Sequence, residues 1–171
     1  MFDKFKPDFT FGSYIEVTPE FLAEQGIKAL LIDIDNTLAP YEQAEPDEKL
    51  FRWFSSLEKS GIKAALISNN KAERVELFNK ELKLPAYPDA HKPSKKTLLI
   101  ALDDLGAKTE HTAVMGDQLF TDAYGGKHIG MRAIIVPPIK DKKTFFFRFK
   151  RALEKPIMKS YYKEKAKNCE K

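Results

Sequence analysis

The sequence predicts an α/β protein with a mostly parallel sheet of about five strands and helices on both faces. Three observations lead there. Apolar β-type runs alternate with helical patterns, the signature of βαβ units. A length of 171 residues, 43% of them apolar and 32% charged, fits one soluble globular domain with one sizeable core. Polar residues recur where the apolar runs stop, at the carboxyl ends of the strands, and ligands of such sheets bind there.

The elements follow in order. Residues 28–34 form the first strand. A helix is expected at about 46–60, with Pro46 near its start, Asp47 and Glu48 suited to its first turn and Gly61 to its end. Leu50, Phe51, Phe54 and Leu57 recur at helical spacing as its buried face. "IKAALIS", residues 62–68, is the next strand. "NNKAERVELFNKEL" opens a second helix, with Asn70 as its cap and Glu73 completing a capping box. "LPAYPDA", with two prolines, has room for a brief strand. Pro93 suits the first position of the helix "PSKKTLLIALDDLG", which Gly106 ends. Residues 112–117 read as a strand, "FTDAYGGKHIG" as a short helix and turn, and 131–137 as the last strand.

"KALLIDIDNTLAP" poses the functional question. Its apolar run ends in Asp33 and Asp35, separated by Ile34 alone, and carboxylates are costly to desolvate. Ser68 and Asn69 end a second strand, Gly116 and Asp117 a third, and Lys92 opens a helix after a short strand. All fall on one rim of the predicted sheet. No Walker loop, Ser-His-Asp set or dinucleotide fingerprint is present, and His91, His111 and His128 share no metal-ligand spacing. Carboxylates with hard oxygen ligands suit Mg²⁺, and Mg²⁺ with a lysine suits a phosphate. A carboxylate can attack phosphorus, and a second one nearby can move the proton. Two unit charges at ~4 Å repel by about 4 kcal/mol at an effective dielectric of ~20, a cost that a divalent ion and an ammonium group can offset.

"DIDNTL", "LISNN", "HKP" and "GDQLFTD", in that order, resemble the four motifs of the haloacid dehalogenase-like (HAD) superfamily of phosphatases, in the YqeG-type branch of its subclass III. The motifs run from residue 33 to 122. The resemblance implies a three-layer Rossmann-like fold, with Asp33 as nucleophile and Asp35 as general acid/base. It further implies Thr37, Ser68, Asn69 and Lys92 at the substrate phosphate, and Mg²⁺ held by Asp33, Asp117 and the carbonyl of Asp35. Asn36 fits the YqeG-type pattern, and Gly116 and Asp122 would support the metal or Lys92. Residues 38–62 and 71–91 each have room for one helix, so no cap domain is expected and the site should be open.

Charge is uneven. Residues 140–171 carry an excess of eight positive charges, whereas residues 1–139 carry a net −4. The expected division is a catalytic domain over 1–139 and a basic amphipathic helix and tail over 140–171. In "TFFFRFKRALEKP" a helical projection places Phe145, Phe146, Phe149, Ala152 and Leu153 on one arc. Arg148, Arg151 and Lys155 fall largely opposite, with Phe147 among them. Such a helix can lie in an anionic membrane interface or pack on the domain. The YqeG-type branch is similar to the mitochondrial phosphatidylglycerophosphate phosphatases, which implies a lipid headgroup as substrate. The alternatives are a soluble phosphatase for nucleotides, nucleic-acid ends or sugar phosphates, and a non-catalytic interaction module. The tail lacks a recognised nucleic-acid motif. "MFDKFKPDFTFGSY" lacks a secretory layout and Cys169 stands alone, so the expected setting is the cytoplasm, with peripheral contact at the inner face of the membrane.

Overall fold

The computed structural model describes residues 3–140 and 145–169, with side chains of the last helix described over 147–167. Six strands form one parallel sheet: β1 (Phe9–Thr10), β2 (Ala29–Ile32), β3 (Lys63–Ile67), β4 (Ala86–Tyr87), β5 (Thr112–Gly116) and β6 (Arg132–Ile135). Their order across the sheet is β1-β6-β5-β2-β3-β4. The chain winds outward from β2 through β3 to β4, then crosses to β5 on the other side of β2. The topological switch therefore lies between β2 and β5, where Leu31 pairs with Val114 and Ile32 with Met115. Ligand crevices of open α/β sheets open at the carboxyl ends of such a strand pair.

Period-two alternation along the strands divides the core into two layers. Leu30, Ile32, Leu66 and Met115 face α2 (Glu48–Lys59) and α3 (Ala72–Asn79). Leu31, Ala65, Ile67 and Val114 face α4 (Lys95–Asp104) on the opposite side. The strands are apolar throughout because both faces are covered.

Local signals set the helix ends. Asp47 accepts from the Leu50 amide at 2.9 Å and caps α2. Gly106 takes φ +56° just past α4, a conformation that suits glycine. Three expectations are corrected. The buried stripe of α2 runs through Trp53 instead of Phe51, which is 38% exposed, because the Trp53 indole donates to the Val17 carbonyl at 2.9 Å. Asn70 does not cap α3; its side chain turns to Asp35 and Lys71 occupies the cap position. Ser94 caps α4, so Pro93 lies outside that helix.

The N-terminal segment adds elements that no sequence pattern announces. β1 has only two residues and pairs with β6, too short for a periodic pattern. The short α1 (Pro19–Glu24) follows Thr18, whose hydroxyl accepts from the Phe21 amide at 3.2 Å. After β5, a π-helical turn (Leu119–Ala123) runs into α5 (Tyr124–His128).

α6 (Phe145–Cys169) is longer than the amphipathic segment expected and docks by a different stripe. Phe147, Glu154, Ile157 and Tyr161 are buried, whereas Phe149 and Leu153 of the expected apolar arc are 53% and 47% exposed. The side chains of Phe145 and Phe146 lie outside the described residues. Ile157 joins the core on the α4 side, and Lys6 donates to Glu164 at 2.6 Å to hold the far end. The receiving surface, with its polar partners for Arg151 and Glu154, selects which stripe is buried.

A tight contact at α5 can be tested. A Cβ added at Gly126 would stand 2.3 Å from the Val114 side chain in the central β5. Gly126→Ala is expected to cost about 1–3 kcal/mol by overpacking, read as a lower urea midpoint with an unchanged slope.

Candidate active site

Asp33 continues β2, its amide donating to the Met115 carbonyl at 2.9 Å. The chain then turns sharply. Asn36 adopts φ +65°, and the Leu38 amide returns to the Ile34 carbonyl at 2.9 Å. Ile34 is fully buried in the core, so the residue between the two aspartates pins the loop while both carboxylates line one cavity.

Lys92 reaches that cavity from the loop after β4. Its ammonium donates to Asp33 Oδ1 at 2.7 Å and Asp122 Oδ1 at 2.6 Å. Asn69, expected at the phosphate, grips the Lys92 backbone: Oδ1 accepts from the Lys92 amide at 2.6 Å, and Nδ2 donates to its carbonyl at 3.1 Å. Ser68 is buried at the end of β3, its hydroxyl accepting from the Asn70 amide at 3.0 Å. Thr37 is buried beneath the turn and does not line the cavity. Asn36 holds the loop beyond β6, its carbonyl accepting from the Ile139 amide at 3.0 Å.

Asp33, Asp117 and Asp122 bring carboxylate oxygens within 4.8 Å of one another. Gly116 makes this possible, since a Cβ there would fall 2.2 Å from Asp122 Cγ. Asp117 Oδ1 is buried without a hydrogen-bond partner. An orphaned buried carboxylate oxygen among two further carboxylates fits a divalent cation with oxygen ligands. The Asp35 carboxylate stands outside this cluster, in keeping with the backbone carbonyl being the group expected at the ion. Its Oδ1 accepts from Arg74 Nε and Nη2 at 3.3 and 3.2 Å, and its Oδ2 from Asn70 Nδ2 at 3.0 Å.

Electrostatics follow from this crowding. Burial pushes the Asp33 carboxyl up to about 8, with Asp122 and Asp117 adding to the rise and Lys92 opposing it. Burial and Asp122 push Asp117 up to about 7 against Arg151. Burial disfavours the Lys92 ammonium, but Asp122 and Asp33 outweigh it and hold this group above the ordinary lysine range.

Several residues of the site were not foreseen. Arg74 and Asn70 hold Asp35, and Tyr41 lines the cavity of about 380 Å³. Phe147 and Lys150 of α6 line its outer wall, and Arg151 pairs with Asp117. "NNKAER" carried a signal in its paired polar groups, which helix capping seemed to absorb; the α6 residues meet the site only through tertiary packing. Among the described residues no cap domain is inserted, yet α6 walls one side of the expected open site.

A family model described as "HAD-hyrolase-like" matches residues 90–140, the segment with Lys92, Asp117 and Asp122. The chain belongs to the HAD superfamily of phosphatases, in its YqeG-type branch. It is 36% identical over 154 residues to "Probable phosphatase YqeG" of Bacillus subtilis strain 168, covering 90% of each chain. It is 26% identical over 129 residues to "Glyceraldehyde 3-phosphate phosphatase" of Pyrococcus furiosus, covering 70% of this chain and 51% of that protein. Among solved structures, an uncharacterized protein from Listeria monocytogenes serotype 4b shares the fold at TM-score 0.54 and 16% identity, over 69% of this chain and 85% of that one.

The raised carboxyls give a signed pH dependence. An unfolded Asp titrates near ~3.9, so from there to about 8 the folded metal-free protein binds more protons than the unfolded chain. Its stability therefore falls as pH rises through that window. Asp33→Asn is expected to raise the melting temperature of metal-free protein at pH 8 by at least about 3 °C. At pH 5, only about one unit above the unfolded value, the gain should be much smaller. Scanning calorimetry at both pH values checks this.

Proposed function

We propose that the protein is a Mg²⁺-dependent phosphomonoesterase that removes the terminal phosphate of phosphatidylglycerophosphate at an anionic membrane surface. Asp33, Asp117 and Asp122, with the carbonyl of Asp35, would hold the ion, which supplies charge to offset the meeting of carboxylate and phosphate. Lys92 adds a fixed ammonium, and Ser68 presents its hydroxyl to the transferring group. Asp33 attacks phosphorus as the ester P–O bond breaks, and Asp35 gives its proton to the leaving oxygen. Water then attacks the aspartyl-phosphate, Asp35 takes its proton, and Asp33 and inorganic phosphate are released. Arg74 and Asn70 orient Asp35 for both transfers.

One observation carries the lipid assignment. The helix that lends Phe147 and Lys150 to the cavity exposes Phe149 and Leu153 on its outer side, beside exposed Arg148, Lys155 and Lys159. That outer side suits adsorption to anionic headgroups. A neighbouring cavity of about 880 Å³, lined by Phe11, Ile135, Pro137, Met158 and Tyr162, supports it by offering apolar surface next to Asp117. No described helix is long and apolar enough to cross a membrane, which suits peripheral contact. A second reading, hydrolysis of a small sugar phosphate, is favoured by the Pyrococcus relative's name.

Phosphate release from phosphatidylglycerophosphate in anionic vesicles, compared with glyceraldehyde 3-phosphate, separates the two. The lipid is expected to turn over at least about tenfold faster by kcat/KM, a difference of ~1.4 kcal/mol. Preference for the sugar phosphate would transfer the assignment to the second reading. Asp33→Asn should abolish turnover of either substrate, and EDTA should stop it until Mg²⁺ is restored.

A further inference from the structure

α6 reaches into the carboxylate cluster itself. Arg151 Nη2 donates to Asp117 Oδ2, and Nη1 donates to the Asp117 backbone carbonyl at 2.5 Å. The guanidinium thus grips one residue at two points, fixing both the backbone and one carboxylate oxygen. Oδ1 is left buried and unpartnered. Arg151 is itself clamped. Nη1 also donates to Glu154 Oε2 at 2.8 Å, and the guanidinium lies over the Phe147 ring at 5.0 Å. Glu154 is buried, and its Oε1 accepts from the Leu119 amide at 2.8 Å, in the turn that carries Asp122.

Three links therefore join one turn of α6 to the loop after β5. A planar fork held from both sides fixes orientation better than a lone point charge. Fixing a carboxylate ligand from behind is worth about 10–100-fold in metal affinity where it has been measured in other proteins. The guanidinium also adds a positive charge near the cluster, which by itself would repel a cation. The bonding to both the carbonyl and Oδ2 favours orientation over repulsion: Arg151 engages Asp117 without engaging Oδ1.

We propose that Arg151 is a positioning residue for Asp117, so that docking of α6 and binding of the divalent ion strengthen each other. This rests on the reading of Asp33, Asp117 and Asp122 as a metal centre and not on the identity of the substrate. By linkage, whatever α6 docking adds to ion affinity, the ion adds to docking.

Calorimetric titration of Mg²⁺ into the full-length protein and into Arg151→Ala, together with limited trypsin cleavage within α6, tests it. Arg151→Ala is expected to weaken Mg²⁺ binding about tenfold or more, with Arg151→Lys recovering part of the loss. In the wild type, saturating Mg²⁺ should slow cleavage at the exposed Lys159 and Lys163 several-fold. Should Arg151→Ala fold poorly, the wild-type cleavage experiment decides alone. Unchanged or tighter binding in Arg151→Ala, or cleavage that is unchanged or faster with Mg²⁺, would overturn the proposal and make Arg151 a competitor of the ion or a bystander. Absence of Mg²⁺ binding to the wild type would instead overturn the metal centre on which it rests.

Discussion

The ammonium of Lys92, bonded at once to Asp33 and Asp122, is the interaction on which the rest of the site depends. Its side chain is 3% exposed and those of its partners 9% and 1%, so all three ionisable groups have left water. Such a triad is affordable only with good geometry and further hydrogen bonds. The backbone supplies both. Asn69 brackets the Lys92 peptide, the Gln118 amide donates to Asp122 at 3.1 Å, and Gly116 leaves the room Asp122 needs. Once Lys92 is fixed, Asp33 is fixed with it, and Asp117 is left as the carboxylate that needs a partner from elsewhere.

That partner comes from α6, which gives the helix two unlike sides. Its inner stripe answers to the catalytic domain, through Ile157 in the core and Arg151 on Asp117. Its outer side keeps Phe149 and Leu153 in solvent. Phe147 seemed anomalous among basic residues in the sequence, and its burial beside Arg151 accounts for it. An amphipathic projection sees composition around the helix but not the chemistry of the surface that receives it.

The central sheet was legible because buried parallel strands are continuous apolar runs, and β2, β3, β5 and β6 all have them. Asp33, Asp35, Ser68, Lys92 and Asp117 were legible because strand ends project onto one rim, whereas Asp122 was legible only through the resemblance of its motif. Contacts between distant elements were not. Asn69 lines the cavity and also holds the Lys92 backbone, and Asn70, placed like a helix cap, binds Asp35 instead. Short polar side chains serve caps, turns and sites with the same few atoms, so spacing alone cannot apportion them. β1 escaped because two residues carry no period.

The distance along the chain between Asp117 and Arg151 also bears on how the molecule is made. Thirty-four positions separate the two partners, and β5, which delivers Asp117, pairs with β2 about eighty residues earlier in the chain. During synthesis the strands and their carboxylates leave the ribosome before α6 does. The carboxylates around Lys92 are therefore delivered ahead of the second cation. Non-local pairing of this kind is slow, and the helix that follows all four motifs is the one that completes the charge balance of the last of them.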